Sequence, residues 1–416
     1  MAKRTLDAFF KPTPSTTAKR AKPDPATTPP TEDTGLPDTH TSYPIAIPQL
    51  PSHISVSLTH GTPAKQPRRI TNQPDLDLLY FQPYIARATA NELFKFLRRE
   101  LPFYRVQYNI KRGGVETQIN TPRYTTVFGV DETARFIPAC SVKGADQDHD
   151  QAQDQDQDQD QDQNTSPYSE ATFPDAAQDA NSPVLVDAQS HAPVRSTKYQ
   201  YPPRPIPTCL SHLQSRVEAV TGAKYNFCLV NYYASGNDSI AFHSDDERFL
   251  GGAPNIASLS LGGEREFIMK HKPESEGSQA GTRMGGGDCG GIATLPLSLS
   301  GRHTSTTTPL HLQSGHANST PVLPQAQQLK IPLCSGDMVV MRGPTQSHWQ
   351  HSIPKRKGRA GDAVRGRINI TFRRAVIPAG TNNYYHYNVG CGPVWRWNEQ
   401  RGEIVQTEKG ELENIE

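Results

Sequence analysis

His243, Ser244, Asp245 and, about a hundred residues on, His351 are the residues of this sequence best equipped for chemistry. A His-x-Asp pair followed at long range by a second His is the sequence form of a facial triad. Such a triad holds Fe(II) on one face and leaves the opposite positions open for a co-substrate and O₂. Three ligands of this kind also suit catalytic zinc with a water in the fourth place. His348 competes with His351 for the ligand role, because on a strand the two face opposite ways and spacing does not choose between them. Further on, Arg367-Ile-Asn-Ile-Thr-Phe-Arg373 reads as a strand. A period of two puts Arg367, Asn369, Thr371 and Arg373 on one face and Ile368, Ile370 and Phe372 on the other. Two arginines, an amide and a hydroxyl on an inward face are costly unless something anionic sits there. A dicarboxylate such as 2-oxoglutarate fits, since a guanidinium grips a carboxylate through two hydrogen bonds. Metal triad plus carboxylate clamp reads as Fe(II) chemistry with 2-oxoglutarate as co-substrate.

The elements that must position these groups occupy only part of the chain. Of 416 residues 34% are hydrophobic, with 36 Pro and 31 Gly, so much of the chain cannot bury enough apolar surface to offset its conformational entropy. The net charge of +1 conceals an acidic tract of mostly alternating Asp and Gln between Asp146 and Gln163; the remainder is basic, which suits a polyanionic partner. Six scattered cysteines suggest neither a zinc ribbon nor a disulfide framework and fit a reducing compartment. No early apolar run is long enough for a signal peptide or a membrane span. We expect a disordered tail over 1–72, an ordered extension over 73–140, an acidic low-complexity insert over 141–197, and a core over 198–376 interrupted at about 273–328. A C-terminal extension, 377–416, carries Tyr384-Tyr-His-Tyr387 and Trp395-Arg-Trp397, which either pack on the core or stack on nucleic acid. Helices are expected over Ala88 to Arg99, with Ala90, Leu93, Phe94 and Leu97 on one face, and over Ile206 to Val220. Val106 to Gly129 reads as hairpin-rich with a turn at Arg112-Gly113-Gly114. Strands are expected over Asn226 to Tyr233, Ile256 to Leu261, Glu266 to His271, Asp337 to Met341 and Arg367 to Phe372. Without the second insert, Asp245 and His351 lie about 50 residues apart, a sensible distance around a small β-barrel. His303, His311 and His316 fall inside that insert and read as solvated loop residues.

Asn231-x-Tyr233, His243-Ser-Asp245-Asp246-Glu247, Ser258-Leu-Ser-Leu with Arg265-Glu-Phe267, Lys270-His-Lys272, His348-Trp-Gln-His351-Ser and Arg367-x-Asn-x-Thr-Phe-Arg373 occur in one order. Together they resemble the AlkB family of nucleic-acid dealkylating dioxygenases, most of all its eukaryotic DNA-repair branch. The resemblance runs from about Phe81 to Ala375 with the inserts set aside. It implies a mainly β fold with flanking helices (α+β): a double-stranded β-helix, or jelly roll, with an N-terminal nucleotide-recognition lid. It makes His243, Asp245 and His351 the iron ligands and His348 a neighbour. Asn231, Tyr233, Arg367, Thr371 and Arg373 become 2-oxoglutarate contacts, with Asn369 supporting them, and Asp246 faces the substrate base. Thr121-Pro-Arg123-Tyr124-Thr-Thr-Val-Phe128-Gly129 is similar to a segment of the family's lid, so Arg123, Tyr124, Phe128 and Gly129 are expected at nucleic acid, as are Lys111 and Arg112 at a hairpin tip. The hairpin over Tyr108 to Val115 is longer than the family's, and no bulky duplex-inserting wedge aligns.

The resemblance further implies Fe(II), O₂ and 2-oxoglutarate, and oxidative demethylation of N-alkylated bases of the 1-methyladenine and 3-methylcytosine type in DNA. Such bases are reached by flipping, because the alkylated atom lies on the pairing edge. RNA is the variant substrate; a protein or small-molecule oxygenase on the same scaffold and an inactive bridging scaffold are the rivals. Near the N-terminus, Leu6, Phe9 and Phe10 resemble a sliding-clamp-binding box, with Lys3 at its first position in place of the usual Gln. Lys19-Arg20-Ala-Lys22 reads as a weak nuclear-import cluster. The expectation is a monomeric nuclear enzyme with no membrane attachment.

Overall fold

In the computed structural model, residues 35–60, 66–112, 115–141, 182–273, 328–356 and 366–407 are described. They form helix α1 (Ser52–His60), strands β1 (Arg68–Ile70) and β2 (Leu78–Phe81), α2 (Arg87–Glu100), then β3 (Phe103–Tyr104), β4 (Gln107–Arg112), β5 (Val115–Asn120), β6 (Tyr124–Gly129) and β7 (Ala134–Ile137). After the acidic tract come β8 (Val184–Asp187), α3 (Thr208–Thr221), β9 (Phe227–Tyr233), β10 (Ile240–His243), β11 (Ile256–Gly262) and β12 (Arg265–His271). The remainder comprises β13 (Leu329–Leu333), β14 (Met338–Met341), α4 (Thr345–His348), β15 (Trp349–Ile353), β16 (Arg367–Arg373), α5 (Pro378–Asn388), β17 (Val394–Asn398) and β18 (Glu403–Gln406).

From β9 to β16 the strands fall into two antiparallel sheets. β14-β11-β16-β9 lie within a ten-stranded sheet, and β10-β15-β12-β13 form a four-stranded one. Two sheets assembled from alternating pairs of strands give the order expected of a jelly roll. The expected alternation on β16 is realised. Ile368, Ile370 and Phe372 join Cys228, Val230 and Tyr232 of β9 and Ala257, Leu259 and Leu261 of β11 in one apolar cluster. The apolar stripes of α2 (Ala90, Leu93, Phe94, Phe96, Leu97) and α3 (Cys209, Leu210, Leu213, Val217) cover that face. A second cluster lies between the sheets, with Phe267, Met269, Ile331, Leu333, Val339, Met341, Trp349 and Ile353 among its members. Burying a large aliphatic or aromatic side chain contributes about 1.5–3 kcal/mol, so these two layers fix the sheet on which the polar stripe stands.

Helix boundaries shift slightly from expectation. α3 starts at Thr208 because Pro207 suits a position before the first turn, and it ends at Gly222, whose φ of 68° is the left-handed cap that only glycine adopts cheaply. Two expectations are corrected, and an alternative left open by the sequence is decided. The segment 1–72 is not all tail: α1 buries Ile54 and Leu58, and Ile47 and Leu50 join the same core. The acidic insert does not reach 197, because β8 pairs with β7 from Ala134↔Asp187 to Ile137↔Val184. The C-terminal aromatic segment packs on the protein: β17 pairs with β3, the Arg98 guanidinium lies 3.6 Å from the Trp397 ring centroid, and Trp395 meets Tyr124 edge to face. No helix among the described residues is long and apolar enough to cross a membrane.

Candidate active site

β10 and β15 are neighbours in the smaller sheet, and their register sets His243 opposite His351. The two rings lie 4.2 Å apart between centroids. Asp245, just past the end of β10, brings Oδ2 to 4.0 Å from His351 Nε2, and the ligand atoms of all three residues lie within 4.8 Å of one another. The choice between the two late histidines is resolved by local structure: His348 closes α4 and points elsewhere, whereas His351 sits inward on β15. Neighbouring groups fix the ligands. His243 Nδ1 donates to the Ala241 carbonyl at 2.9 Å, which leaves Nε2 with its lone pair free. The Asp245 amide donates to Gln346 Oε1 at 2.9 Å, and the Ser244 hydroxyl donates to the Trp349 carbonyl at 2.8 Å.

The electrostatics suit a metal. Burial lowers both imidazoles, with His351 pushed down to about 3, so both are neutral at pH 7. Burial alone would raise the Asp245 carboxyl, but the hydrogen-bonded Arg373 guanidinium outweighs it and holds the group ionised. Two neutral imidazoles and a carboxylate are a donor set for Fe(II) or Zn(II). Behind them Glu247 is pushed up to about 7 by burial and by Asp245, and its Oε2 finds no hydrogen-bond partner among the described residues.

The polar stripe runs from this triad along β16. Arg373 Nη2 donates to Asp245 Oδ2 at 2.8 Å and Nη1 to Thr371 Oγ1 at 2.6 Å, while the Thr371 hydroxyl donates to the Leu229 carbonyl at 2.9 Å. Asn369 Nδ2 donates to Ser258 Oγ at 2.8 Å and to the Leu259 carbonyl at 3.1 Å. Thr371 and Asn369 thus brace the sheet rather than presenting free groups. At the far end Arg367 is only 1% exposed, and its Nη2 donates to Ser260 Oγ at 2.9 Å. Its Nε and Nη1 have no partner among the described residues. The guanidinium carbon lies 5.2 Å from the ring centroid of Tyr233, and burial lowers its pKa to about 10. Two unpaired donors on a buried cation are costly, and a carboxylate would satisfy both at once. The residues present therefore fit 2-oxoglutarate. Asn231 also lines the stripe, and its Oδ1 accepts from Arg123 Nε at 2.7 Å.

The expected nucleic-acid contacts fare differently. β6 is not part of a lid: it pairs along its length with β9 in the middle of the large sheet. Tyr124 packs its ring against Tyr232 and Trp395, and Phe128 is fully buried with its ring edge-on to Tyr43, so neither can stack on a base. Gly129 has a φ of 106°, and a Cβ there would stand 2.1 Å from the Asn226 carbonyl oxygen, which gives the glycine a structural reason. Lys111 and Arg112 lie at the end of β4, which pairs with β5 as a separate two-stranded hairpin. Asp246 is exposed and forms an ion pair with Lys272 Nζ at 2.5 Å. Leu6, Phe9 and Phe10 lie outside the described residues.

Sequence reasoning missed Gln346, which orients Asp245, and Glu247 as a half-buried acid. It saw Ser258 and Ser260 only as part of a motif. Their alternation on β11 was the available signal, since period two aims both at the stripe. Arg265 was seen likewise. Its Nη2 donates to the carbonyls of Asp238 at 2.7 Å and Pro354 at 2.5 Å, tying the turn before β10 to the chain after β15.

The profile of the 2OG-Fe(II) oxygenase superfamily matches residues 77–373, which include every stripe and triad residue. Among curated proteins, the chain is 34% identical over 179 residues to "DNA oxidative demethylase ALKBH2" of Arabidopsis thaliana, covering 43% of this chain and 46% of that one. It is 29% identical over 175 residues to the Homo sapiens protein of the same name, covering 42% and 49%. It is 33% identical over 161 residues to "Alpha-ketoglutarate-dependent dioxygenase alkB homolog 3" of Rattus norvegicus, covering 39% of each. The chain spans about half the length, or less, of these relatives. The chain belongs to the 2OG-Fe(II) oxygenase superfamily, and the relatives it resembles are dioxygenases of the AlkB type.

Proposed function

We propose that this chain removes alkyl groups from N-alkylated bases of the 1-methyladenine and 3-methylcytosine type in DNA, using 2-oxoglutarate. The observation that carries the reading is the stripe itself, with three metal-competent ligands at one end and a buried guanidinium with two unpaired donors at the other. The relatives named DNA oxidative demethylase support the substrate class. Bound Fe(II) and 2-oxoglutarate would supply O₂-dependent oxidation of the N-alkyl group, with release of succinate, CO₂ and an aldehyde. His243, Asp245 and His351 hold the metal, and Arg373 keeps Asp245 ionised and aimed. Arg367 binds the distal carboxylate, flanked by Tyr233 and Asn231. Asp246 stands exposed beyond the triad, where a carboxylate favours the cationic lesions over neutral bases. The alkylated atom lies inside a duplex, so the base must be flipped to reach this site.

In the same reading, 73–140 supplies a recognition lid through the β4–β5 hairpin, with Lys111 and Arg112 at the phosphate backbone, and 198–376 is the catalytic core. By sequence offset alone, a helical turn would put Leu6, Phe9 and Phe10 on one side, a spacing that suits a hydrophobic pocket of a sliding clamp. The proposal is of a nuclear, monomeric enzyme, and such a tether would raise its local concentration near replicating DNA. The test is mass spectrometry of methylated single-stranded and duplex DNA and RNA after incubation with protein, Fe(II), ascorbate and 2-oxoglutarate. Loss of methyl groups from DNA, and less from RNA, supports the reading. Turnover on RNA alone replaces the substrate, and 2-oxoglutarate consumption without nucleic-acid turnover overturns it. A peptide over 1–20 titrated against the clamp by calorimetry tests the tail separately, with Phe9→Ala and Phe10→Ala as the control.

A further inference from the structure

A second convergence of metal-competent side chains lies at another edge of the jelly roll and shares no residue with the triad. Asp75 comes from the turn before β2, His271 from the C-terminal end of β12 and His348 from the end of α4. Their ligand atoms lie within 4.8 Å of one another. Asp75 Oδ2 stands 3.4 Å from His271 Nε2 and 3.7 Å from His348 Nδ1, so one carboxylate oxygen sits between two imidazoles. The geometry points to a binding site for a divalent transition cation, with Zn(II) the best match to two imidazoles and a carboxylate.

Two features beyond proximity support this. His271 Nδ1 donates to the Lys272 carbonyl at 2.7 Å, which fixes the tautomer and leaves the Nε2 lone pair turned toward Asp75. Metal-ligating histidines are commonly held this way, with the other ring N–H on a backbone carbonyl. The three segments are also tied together independently of any ion. Trp349 Nε1 donates to the Pro74 carbonyl at 2.9 Å, Asp77 N donates to Thr345 Oγ1 at 2.9 Å, and the Lys272 amide donates to the His348 carbonyl at 2.7 Å. The donor atoms therefore converge with little left to order on binding. The side chains of His348 and Asp75 are 47% and 41% exposed, which gives an ion access and leaves room for water in its remaining positions. Lys272, next to His271 in the chain, is turned away onto Asp246 and the Gln346 carbonyl.

The test uses the full chain with Asp245→Ala and His351→Ala together, so that the triad no longer competes for metal. Titration with Zn(II) against a chromophoric chelator should show one residual equivalent bound at micromolar zinc. Adding His271→Ala or His348→Ala should weaken that equivalent at least about tenfold, because each removes one of three protein ligands. Co(II) in place of Zn(II) should give a visible spectrum that the same substitutions abolish. Should His271→Ala fail to fold, His348→Ala and Asp75→Asn decide, since both lie at exposed positions. No micromolar zinc binding in the triad-deficient chain, or binding indifferent to these substitutions, overturns the site and leaves Asp75 as an ion-pair partner of two histidines.

Discussion

Arg373 donates to Asp245 Oδ2 at 2.8 Å, so one of the two arginines expected to grip the co-substrate spends that donor on the carboxylate expected to ligate the metal. Arg367, on the same face of β16, lies at the other end of the strand, its Cα roughly 20 Å away at the rise of an extended chain. The two guanidinium groups therefore have different work. Arg367→Ala should raise the apparent Kd for 2-oxoglutarate by at least about a hundredfold, because breaking a buried charged pair costs about 3–5 kcal/mol. Iron binding should stay near wild type. Arg373→Ala should weaken iron binding as well, by leaving Asp245 without its charge partner. Calorimetry with 2-oxoglutarate and a colorimetric iron assay separate them, and equal effects of both variants on both ligands would refute the division.

The triad assignment predicts that His243→Ala, Asp245→Ala and His351→Ala each abolish 2-oxoglutarate turnover. His348→Ala should keep it, since His348 ends α4 and faces Asp75 rather than the triad. Succinate release measured on all four variants checks this. Turnover that survives in His351→Ala and vanishes in His348→Ala would exchange the two ligands.

Much of this site was legible because strand periodicity is a strong local rule. Arg367 to Arg373 reads as one polar and one apolar face, and both faces are found where period two puts them. The triad's order was legible too, but not which late histidine completes it. That depends on Pro344 and the short helix that ends at His348, a turn with no periodicity to read. β6 misled for a different reason. A Pro-Arg-x-Thr run followed by Phe and Gly looks like exposed hairpin chemistry, yet tertiary pairing with β9 buries the whole strand. α1 was hidden by its Pro-rich surroundings, because two apolar anchors, Ile54 and Leu58, are too few to declare a helix from sequence. The second histidine cluster was invisible for the plainest reason: its members come from three segments that only the fold brings together.

The burial of Phe128 makes a prediction opposite to that of a base-stacking residue. Phe128→Ala should lower stability by about 3–5 kcal/mol through the cavity it leaves. Gly129→Ala should also destabilise, since its left-handed backbone disfavours a side chain and the Cβ would collide with the Asn226 carbonyl. Urea unfolding of both variants provides the check. A Phe128→Ala chain with wild-type stability but weakened DNA binding would return the residue to the nucleic-acid surface.

The ion pair between Asp246 and Lys272 bears on substrate choice. Both side chains keep contact with solvent, at 45% and 27% exposure, so the pair contributes only about 0–1 kcal/mol and is readily exchanged. A flipped 1-methyladenine or 3-methylcytosine carries positive charge and competes with Lys272 for the same carboxylate; a neutral alkylated base gains nothing there. Lys272→Ala should therefore raise kcat/KM for cationic over neutral N-alkylated bases, and Asp246→Asn should lower that ratio, each by about two- to fivefold given a surface charge interaction of this size. Both effects should shrink as salt is added, since exposed charges are screened. Competition assays with paired oligonucleotides at low and high ionic strength measure the ratio directly. A ratio unmoved by either substitution would show that Asp246 holds Lys272 for structure alone and does not read the base.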